Sequence, residues 1–342
     1  MADWGTLSFK KGWVIHSEGE LAEMFFIIQD GNVRISRKVP ISPMLDNRML
    51  KTGDFFGAVS AVTARSHSNT ATAETDVSVI AIKKNQFQDI AQTHKSIAMK
   101  VLLEFSSLIR GLNEALMLPP ESVVPGGVAV KENYIASEAK VRQYAADSVI
   151  FREGDRGDEL FIIQRGTVKL TKNINNKEVT LSYIKTGEMF GEMGLLESKP
   201  RSANAYAYEE CEITVINGDS YKQIILSQPQ IFLKMAVQLA DRVWFLSKQL
   251  ANRKIQDPVD RIRDMLAVNL ERNNIPARNS GYMTDFNSGQ LIEMCGVGQK
   301  AGTVAVEALI SEGAVKVDEG RIHINNTAEI YRANEIFWKL RR

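Results

Sequence analysis

The chain of 342 residues is short of several things that would announce a function. It has two cysteines, Cys211 and Cys295, far apart in sequence and in no metal-ligand spacing. A disulfide framework is therefore excluded, and two buried thiols in a reducing compartment are expected. The four histidines (His16, His67, His94 and His323) are scattered and read as surface or core fillers. With no Ser/His/Asp or metal-ligand pattern, an enzyme has little footing. Lys and Arg number 42 against 41 Asp and Glu, a formal net charge of +1, so no global field draws the chain to nucleic acid or membrane. No apolar run reaches about 18 residues, which leaves no candidate membrane span. Met1-Ala-Asp-Trp has no basic segment followed by an apolar core, so no signal peptide is expected and the chain reads as cytoplasmic. What remains is ordinary globular material, 44% hydrophobic and 24% charged, with length for two or three domains.

One stretch stands out, Gly187 to Ala205, which reads G-E-M-F-G-E-M-G-L-L-E-S-K-P-R-S-A-N-A. Glu192 follows Gly191, and Arg201 comes nine residues later, beyond Gly194 and Leu195-Leu196. Glycines let main-chain N–H groups approach a ligand, and a short helix opening near Gly191 would aim such groups at an anion. Arg201 offers a cationic fork for phosphate, and Glu192 an acceptor for a sugar hydroxyl. An acid and a base at the two ends of one loop suit a ligand anionic on one side and hydroxylated on the other. A competing reading is a surface turn in which Glu192 and Arg201 simply pair.

This stretch resembles the phosphate-binding cassette of the cyclic nucleotide-binding domain, a small β-roll of bacterial cAMP receptor proteins, protein kinase regulatory subunits and gated channels. The resemblance rests on G-E-M-F-G-E, the Leu pair and P-R-S-A at the family's spacing. It implies that Gly191 and Glu192 hold the ribose and Arg201 with Ser202 the cyclic phosphate, with Met193 and Ala203 beside them in the ligand site.

The chain also repeats itself. Ser17–Gly31 resembles Arg152–Gly166, and Thr52–Gly57 (T-G-D-F-F-G) resembles Thr186–Gly191 (T-G-E-M-F-G). A period of roughly 135 residues is too long for a solenoid and indicates two copies of one domain. Alternating runs such as Val33-Arg-Ile-Ser-Arg and Val168-Lys-Leu-Thr-Lys read as antiparallel strands of a roll. Each roll precedes a helical segment. The first is Lys95–Met117; the second runs from about Pro229 to Gln256, with Phe232, Met235, Leu239, Val243, Leu246 and Leu250 in an apolar stripe. That stripe packs on its own roll or forms a homodimer seam through residues 229–256, and the two uses are compatible.

In the first copy the ligand chemistry is gone. Counting from the shared Phe-Gly, Ala58 stands for Glu192 and His67 for Arg201. A charge-assisted hydrogen bond contributes about 1.5–3 kcal/mol, so losing two should cost several orders of magnitude in affinity. Arg65, two residues before His67, reaches a phosphate only if the loop shifts. The first copy therefore reads as a degenerate roll kept for packing, dimerisation or a partner, with a larger cyclic dinucleotide as a further alternative. In the second copy, the positions that face the base in the cAMP receptor proteins fall at Leu246 and Ser247. A serine there bonds an adenine amine, which favours cAMP, although cGMP is compatible; the family's threonine is replaced by Leu246.

From Tyr282 the pattern changes. Ser288–Gly296 reads as a short helix capped by Ser288, Val297-Gly298 as a turn, Gln299–Ser311 as a second helix, and Gly313–Ile324 as a ribbon turning at Glu319-Gly320. This order resembles the winged helix-turn-helix of the cAMP receptor and fumarate-nitrate regulator family. The implied DNA-reading residues are Gln299, Lys300 and Thr303, but Val304 and the acidic wing residues Asp318 and Glu319 depart from the family's pattern. From Pro258 onward eleven Lys/Arg balance eleven Asp/Glu, so no basic footprint is visible. Gly298 and Gly302 are expected to weaken the second helix.

The expected organisation is α+β. A degenerate cyclic nucleotide-binding-like domain spans 1–117, a linker 118–130, a cyclic nucleotide-binding domain with a long helix 131–257, and a winged helix-turn-helix-like domain 258–342. Two functions follow from the resemblance. One is a cAMP-responsive transcription regulator, and the other a nucleotide-sensing adaptor that binds a protein partner instead of DNA.

Overall fold

The computed structural model describes residues 4–38, 46–116, 124–125, 140–174 and 177–340. The chain divides into two compact units, one of residues 1–112, 125–172 and 183–244, the other of 113–124, 173–182 and 245–342. The expected linker 118–130 and the boundary at 131 lie outside the described residues, apart from a short strand at Val124–Pro125.

The first unit contains both copies of the repeat. In the first, Met24–Asp30 pairs antiparallel with Val77–Lys83, which pairs in turn with Gly5–Phe9. Phe55–Phe56 closes that sheet; Val14–His16, Thr70–Ala73, Val33–Ser36 and Arg48–Leu50 make the second. Alternation sends Phe26, Ile28, Val33, Ile35, Val77 and Val79 inward, and the small Ala71 and Ala73 let the sheets close on one another. The second copy repeats this plan, with Lys140–Tyr144, Cys211–Asn217, Glu159–Arg165 and Met189–Phe190 in one sheet. Val149–Phe151, Asn204–Ala207, Thr167–Ile174, Lys177–Lys185 and Val124–Pro125, in that order, form the other, which has one strand more. Its core of Phe161, Ile163, Val168, Phe190, Ile213 and Val215 again sits over two buried alanines, Ala205 and Ala207.

Helices follow in matching order. The first copy has α1 (Ala58–Thr63), α2 (Phe87–Thr93) and α3 (Lys95–Leu116). The second has α4 (Glu192–Glu197), α5 (Gly218–Ser227) and α6 (Pro229–Asn252). α6 thus stops four residues before the expected Gln256. The stripe proposed as a homodimer seam is already covered within one chain, since Phe232, Met235, Leu239, Val243, Leu246 and Leu250 are all buried. Of the two uses expected for it, packing within the chain is the one these residues display. Part of the cover comes from the first copy, where Phe87 stacks on Phe232 with ring centroids 5.3 Å apart.

The second unit holds α7 (Pro258–Arg272), α8 (Ser288–Cys295), α9 (Gln299–Ser311) and α10 (Thr327–Leu340), with a three-stranded sheet of Tyr282–Met283, Arg321–Ile324 and Val315–Asp318. Asp257 caps α7 by accepting from the Asp260 N–H at 2.9 Å, with Pro258 at the first helical position. The cap of α8 is Asn287, not Ser288. Asn287 has the extended backbone a cap needs, and its side chain accepts from Gln290 N while Gln290 Oε1 accepts from Asn287 N. Gly298 lies at the cap of α9, outside the helix. Gly302 lies inside it, where a Cβ would come within 2.4 Å of the Ile292 side chain, so its intrinsic cost is offset by close approach to α8. α10 was not foreseen. Its Trp338 Nε1 donates to the buried Asp264 of α7 at 2.8 Å, and Ile330 enters the core. Both cysteines are free and buried, as expected.

Phe232→Ala is expected to destabilise the first unit by about 3–5 kcal/mol, because it removes a fully buried ring and leaves Phe87 facing a void. Chemical denaturation of the full chain checks this.

Candidate functional site

The site is built at the junction of Phe190 with α4. Gly191 is the residue before the helix and has φ 79°, a left-handed conformation that costs glycine nothing. A Cβ there would lie 2.8 Å from Arg201 Nη1 and 2.9 Å from the Phe161 ring, so the arginine fork packs where a side chain would stand. Arg201 Nη1 donates to the Gly191 carbonyl at 2.7 Å. Its guanidinium lies over the Phe151 ring at 4.4 Å and near Phe161 at 5.3 Å. Burial pushes the Arg201 guanidinium down, while the carboxylates of Asp158, Glu159, Glu192 and Asp155 oppose that shift. Among the described residues the buried Nε of Arg201 has no hydrogen-bond partner.

Glu192, the first residue of α4, is 2% exposed. It does not spend itself on Arg201. Its Oε1 accepts from Arg242 Nη1 of α6 at 2.7 Å, and among the described residues its buried Oε2 accepts nothing. The competing surface-turn reading, a Glu192–Arg201 pair, is therefore not what the structure shows. Arg242 also donates to the Met189 carbonyl at 2.7 Å, and Gln238 Oε1 accepts from the Met189 N–H at 3.3 Å. α6 thus grips the loop that carries Gly191 and Glu192. Arg242 was missed from the sequence; it is one of three cations on α6, with Lys234 and Lys248, and its spacing does not single it out.

The other expected residues are placed as follows. Met193 and Ala203 are buried beside the cassette, and the half-buried Ser202 Oγ donates to Met193 Sδ at 3.8 Å. Leu246 and Ser247 are buried on the part of α6 that belongs to the second unit. Gln299, Lys300 and Thr303 are exposed on α9, together with Val304 and Glu307.

In the first copy the same frame holds different chemistry. Gly57 has φ 78°, α1 follows it, and Phe26, Phe56 and His16 stand where the second copy has Phe161, Phe190 and Phe151. His67, in place of Arg201, stacks on His16 with centroids 3.7 Å apart and planes 3° from parallel. Two histidines that looked scattered in sequence therefore meet in a buried stack. Ala58 is buried in place of Glu192. Arg65 is not held ready for a phosphate. It forms a buried ion pair with Asp241 of α6 at 2.7 Å and lies 4.1 Å from the Trp244 ring centroid. Burial, with a smaller push from His16, brings His67 down to about 4, against a small opposing effect of Glu20; burial also lowers His16.

Comparison with known proteins places this geometry. Residues 6–94 and 141–228, more than half of the chain, match the sequence profile described as the cyclic nucleotide-binding domain. The chain is 30% identical over 135 residues to the cAMP-activated global transcriptional regulator CRP of Escherichia coli O6:H1, covering 39% of this chain and 64% of that protein. It therefore spans under two thirds of that relative's length. It is 28% identical over 204 residues to the cyclic AMP receptor protein of Thermus thermophilus, covering 59% of this chain and 92% of that one. Over 218 residues it is 29% identical to 20% of the cGMP-dependent protein kinase of Eimeria tenella, a match covering 64% of this chain.

The histidine stack makes the first copy sensitive to acid. Unfolded His67 titrates near its ordinary 6.5, whereas the folded group resists protonation until about 4. The stability contributed by the neutral pair is full above the upper value and drains as pH falls toward the lower one. Thermal melts across that window are expected to show a falling midpoint, and His67→Gln is expected to flatten this part of the profile. Separately, Arg201→Ala is expected to lower affinity for a cyclic nucleotide about a hundredfold, the upper end of a charge-assisted hydrogen bond, as read by calorimetry.

Proposed function

Because the chain belongs to the cyclic nucleotide-binding domain family, we propose that it is a cAMP-responsive regulator that loads one nucleotide per chain, at the second copy. The observation that carries this reading is the pair of unspent polar atoms in one buried cassette, Arg201 Nε and Glu192 Oε2. Leaving a buried polar atom unpaired costs about 1–3 kcal/mol, which a ligand presenting a phosphate and a sugar hydroxyl would recover. Arg201 takes the phosphate, Glu192 the ribose, and Arg242 holds Glu192 in place. The first copy stays empty, since an imidazole stack fills the position of the cation and Ala58 supplies no acceptor. The relatives named for cAMP support the choice of base.

The readout in this proposal is the second unit, taken as a winged helix-turn-helix. Ligand shifts its state only by binding one arrangement better than another. The order of α8, α9 and the ribbon favours a DNA-facing role for Gln299, Lys300 and Thr303. A second reading, docking on a protein partner, is favoured by the exposed Val304, Ile310 and Val317 and by an α9 face with Lys300 balanced by Glu307.

Retention on a heparin or DNA column separates the two. Salt-sensitive retention that appears with cAMP is expected for the regulator, and flow-through with and without cAMP assigns the adaptor role. Calorimetry is expected to give a stoichiometry near one, and a value near two would overturn the empty first copy.

A further inference from the structure

The offset that carries Gly57 to Gly191 also carries Lys95, the first residue of α3, to Pro229, the first of α6, and Arg110 to Trp244. At these equivalent positions the two helices do the same thing, for each reaches the other copy's cassette. From α3, Ser106 Oγ donates to Glu197 Oε1 at 2.7 Å and Arg110 Nε donates to Glu197 Oε2 at 2.9 Å. Glu197 is the last residue of α4 and also meets Lys199 at 2.9 Å. From α6, Asp241 and Trp244 receive Arg65, which directly follows the left-handed residue Ala64 that ends α1. Each cassette helix is therefore tied down at its C-terminal end by the helix of the opposite copy.

The two ties share position but not chemistry. In one the acid belongs to the cassette and the cation to the helix; in the other the assignment is reversed. The side chains concerned are largely removed from water, 6% exposed for Glu197 and 22% for Arg110, and 5% and 1% for Arg65 and Asp241. Charge pairs at such depth are sensitive to loss of either member.

We propose that the first copy is a resident partner of the second. It pairs with it inside one chain as two separate subunits would, and through Ser106 and Arg110 it sets the position of α4 and so of Glu192. Ser106 and Arg110 are thus positioning residues for the nucleotide site, acting through Glu197 rather than touching the ligand. The pairing itself stands apart from the function proposed above, whereas the effect on affinity rests on it.

Two measurements test this on the full chain. Sedimentation velocity, with and without saturating cAMP, is expected to give the mass of one chain. A dimer under both conditions would overturn the resident-partner assignment, whether or not the nucleotide binds. Calorimetry on the Ser106→Ala/Arg110→Ala double variant is expected to show about tenfold weaker cAMP binding at unchanged stoichiometry, with Arg110→Lys recovering most of the loss. Unchanged affinity would overturn the positioning role. If the double variant fails to fold, Glu197→Gln, which keeps the shape and an acceptor for Ser106, is expected to weaken binding several-fold, and wild-type affinity there counts against the proposal equally. A wild-type chain that binds no cyclic nucleotide would defeat the functional reading, while its sedimentation mass would still decide the pairing.

Discussion

Two neighbouring side chains on α6, Asp241 and Arg242, hold the first unit's chemistry in place. Asp241 takes Arg65 from the first cassette and Arg242 takes Glu192 from the second. Adjacent residues on a helix point about 100° apart, so one turn of α6 addresses both copies at once. Neither pair contributes stability in proportion to its short distance, because taking charges out of water consumes most of the attraction. What the pairs provide is position. With Arg242 fixed on Met189 and Glu192, the loop around Gly191 cannot move without α6.

The same frame carries two different contents. In the second copy a guanidinium lies on an aromatic ring and leaves one nitrogen unspent; in the first, an imidazole lies on another imidazole. Both arrangements fill the same space beside a left-handed glycine and a pair of stacked phenylalanines. The histidines repack the position of the cation, at the expense of a group that burial keeps neutral well below its usual range.

Much of this was legible in the sequence, for reasons that can be named. Strand alternation and paired glycines gave the two rolls, since a period-two pattern has few structural alternatives. The cassette was legible because close approach demands glycine and phosphate demands a fixed cation. Arg242 was not legible: one cation among the four charged residues of α6 has the same appearance whether it is solvated or buried. Nor was the meeting of His16 with His67, which depends on sheet closure bringing together residues from distant strands. The choice of Asn287 over Ser288 as cap was a one-residue ambiguity between two good acceptors, settled by the glutamine three positions on. α10 escaped because much of what anchors it is polar: beside Ile330, the buried Thr327, the Tyr331 hydroxyl on the Ile275 carbonyl and the Trp338 indole on Asp264.

Gly157 and Gly194 meet back to back, so closely that a Cβ on Gly157 would lie 2.7 Å from the Gly194 Cα. Two main chains pass there with no side chain between them. Gly154 N donates to the Arg201 carbonyl at 3.0 Å and Arg201 N to the Asp155 carbonyl at 2.9 Å, so the same loop is also strapped to the cationic end of the cassette. A side chain at such a crossing could change rotamer and absorb a small shift, whereas bare backbone can only pass it on. The position of Arg201 and the middle of α4 are consequently fixed against one and the same loop.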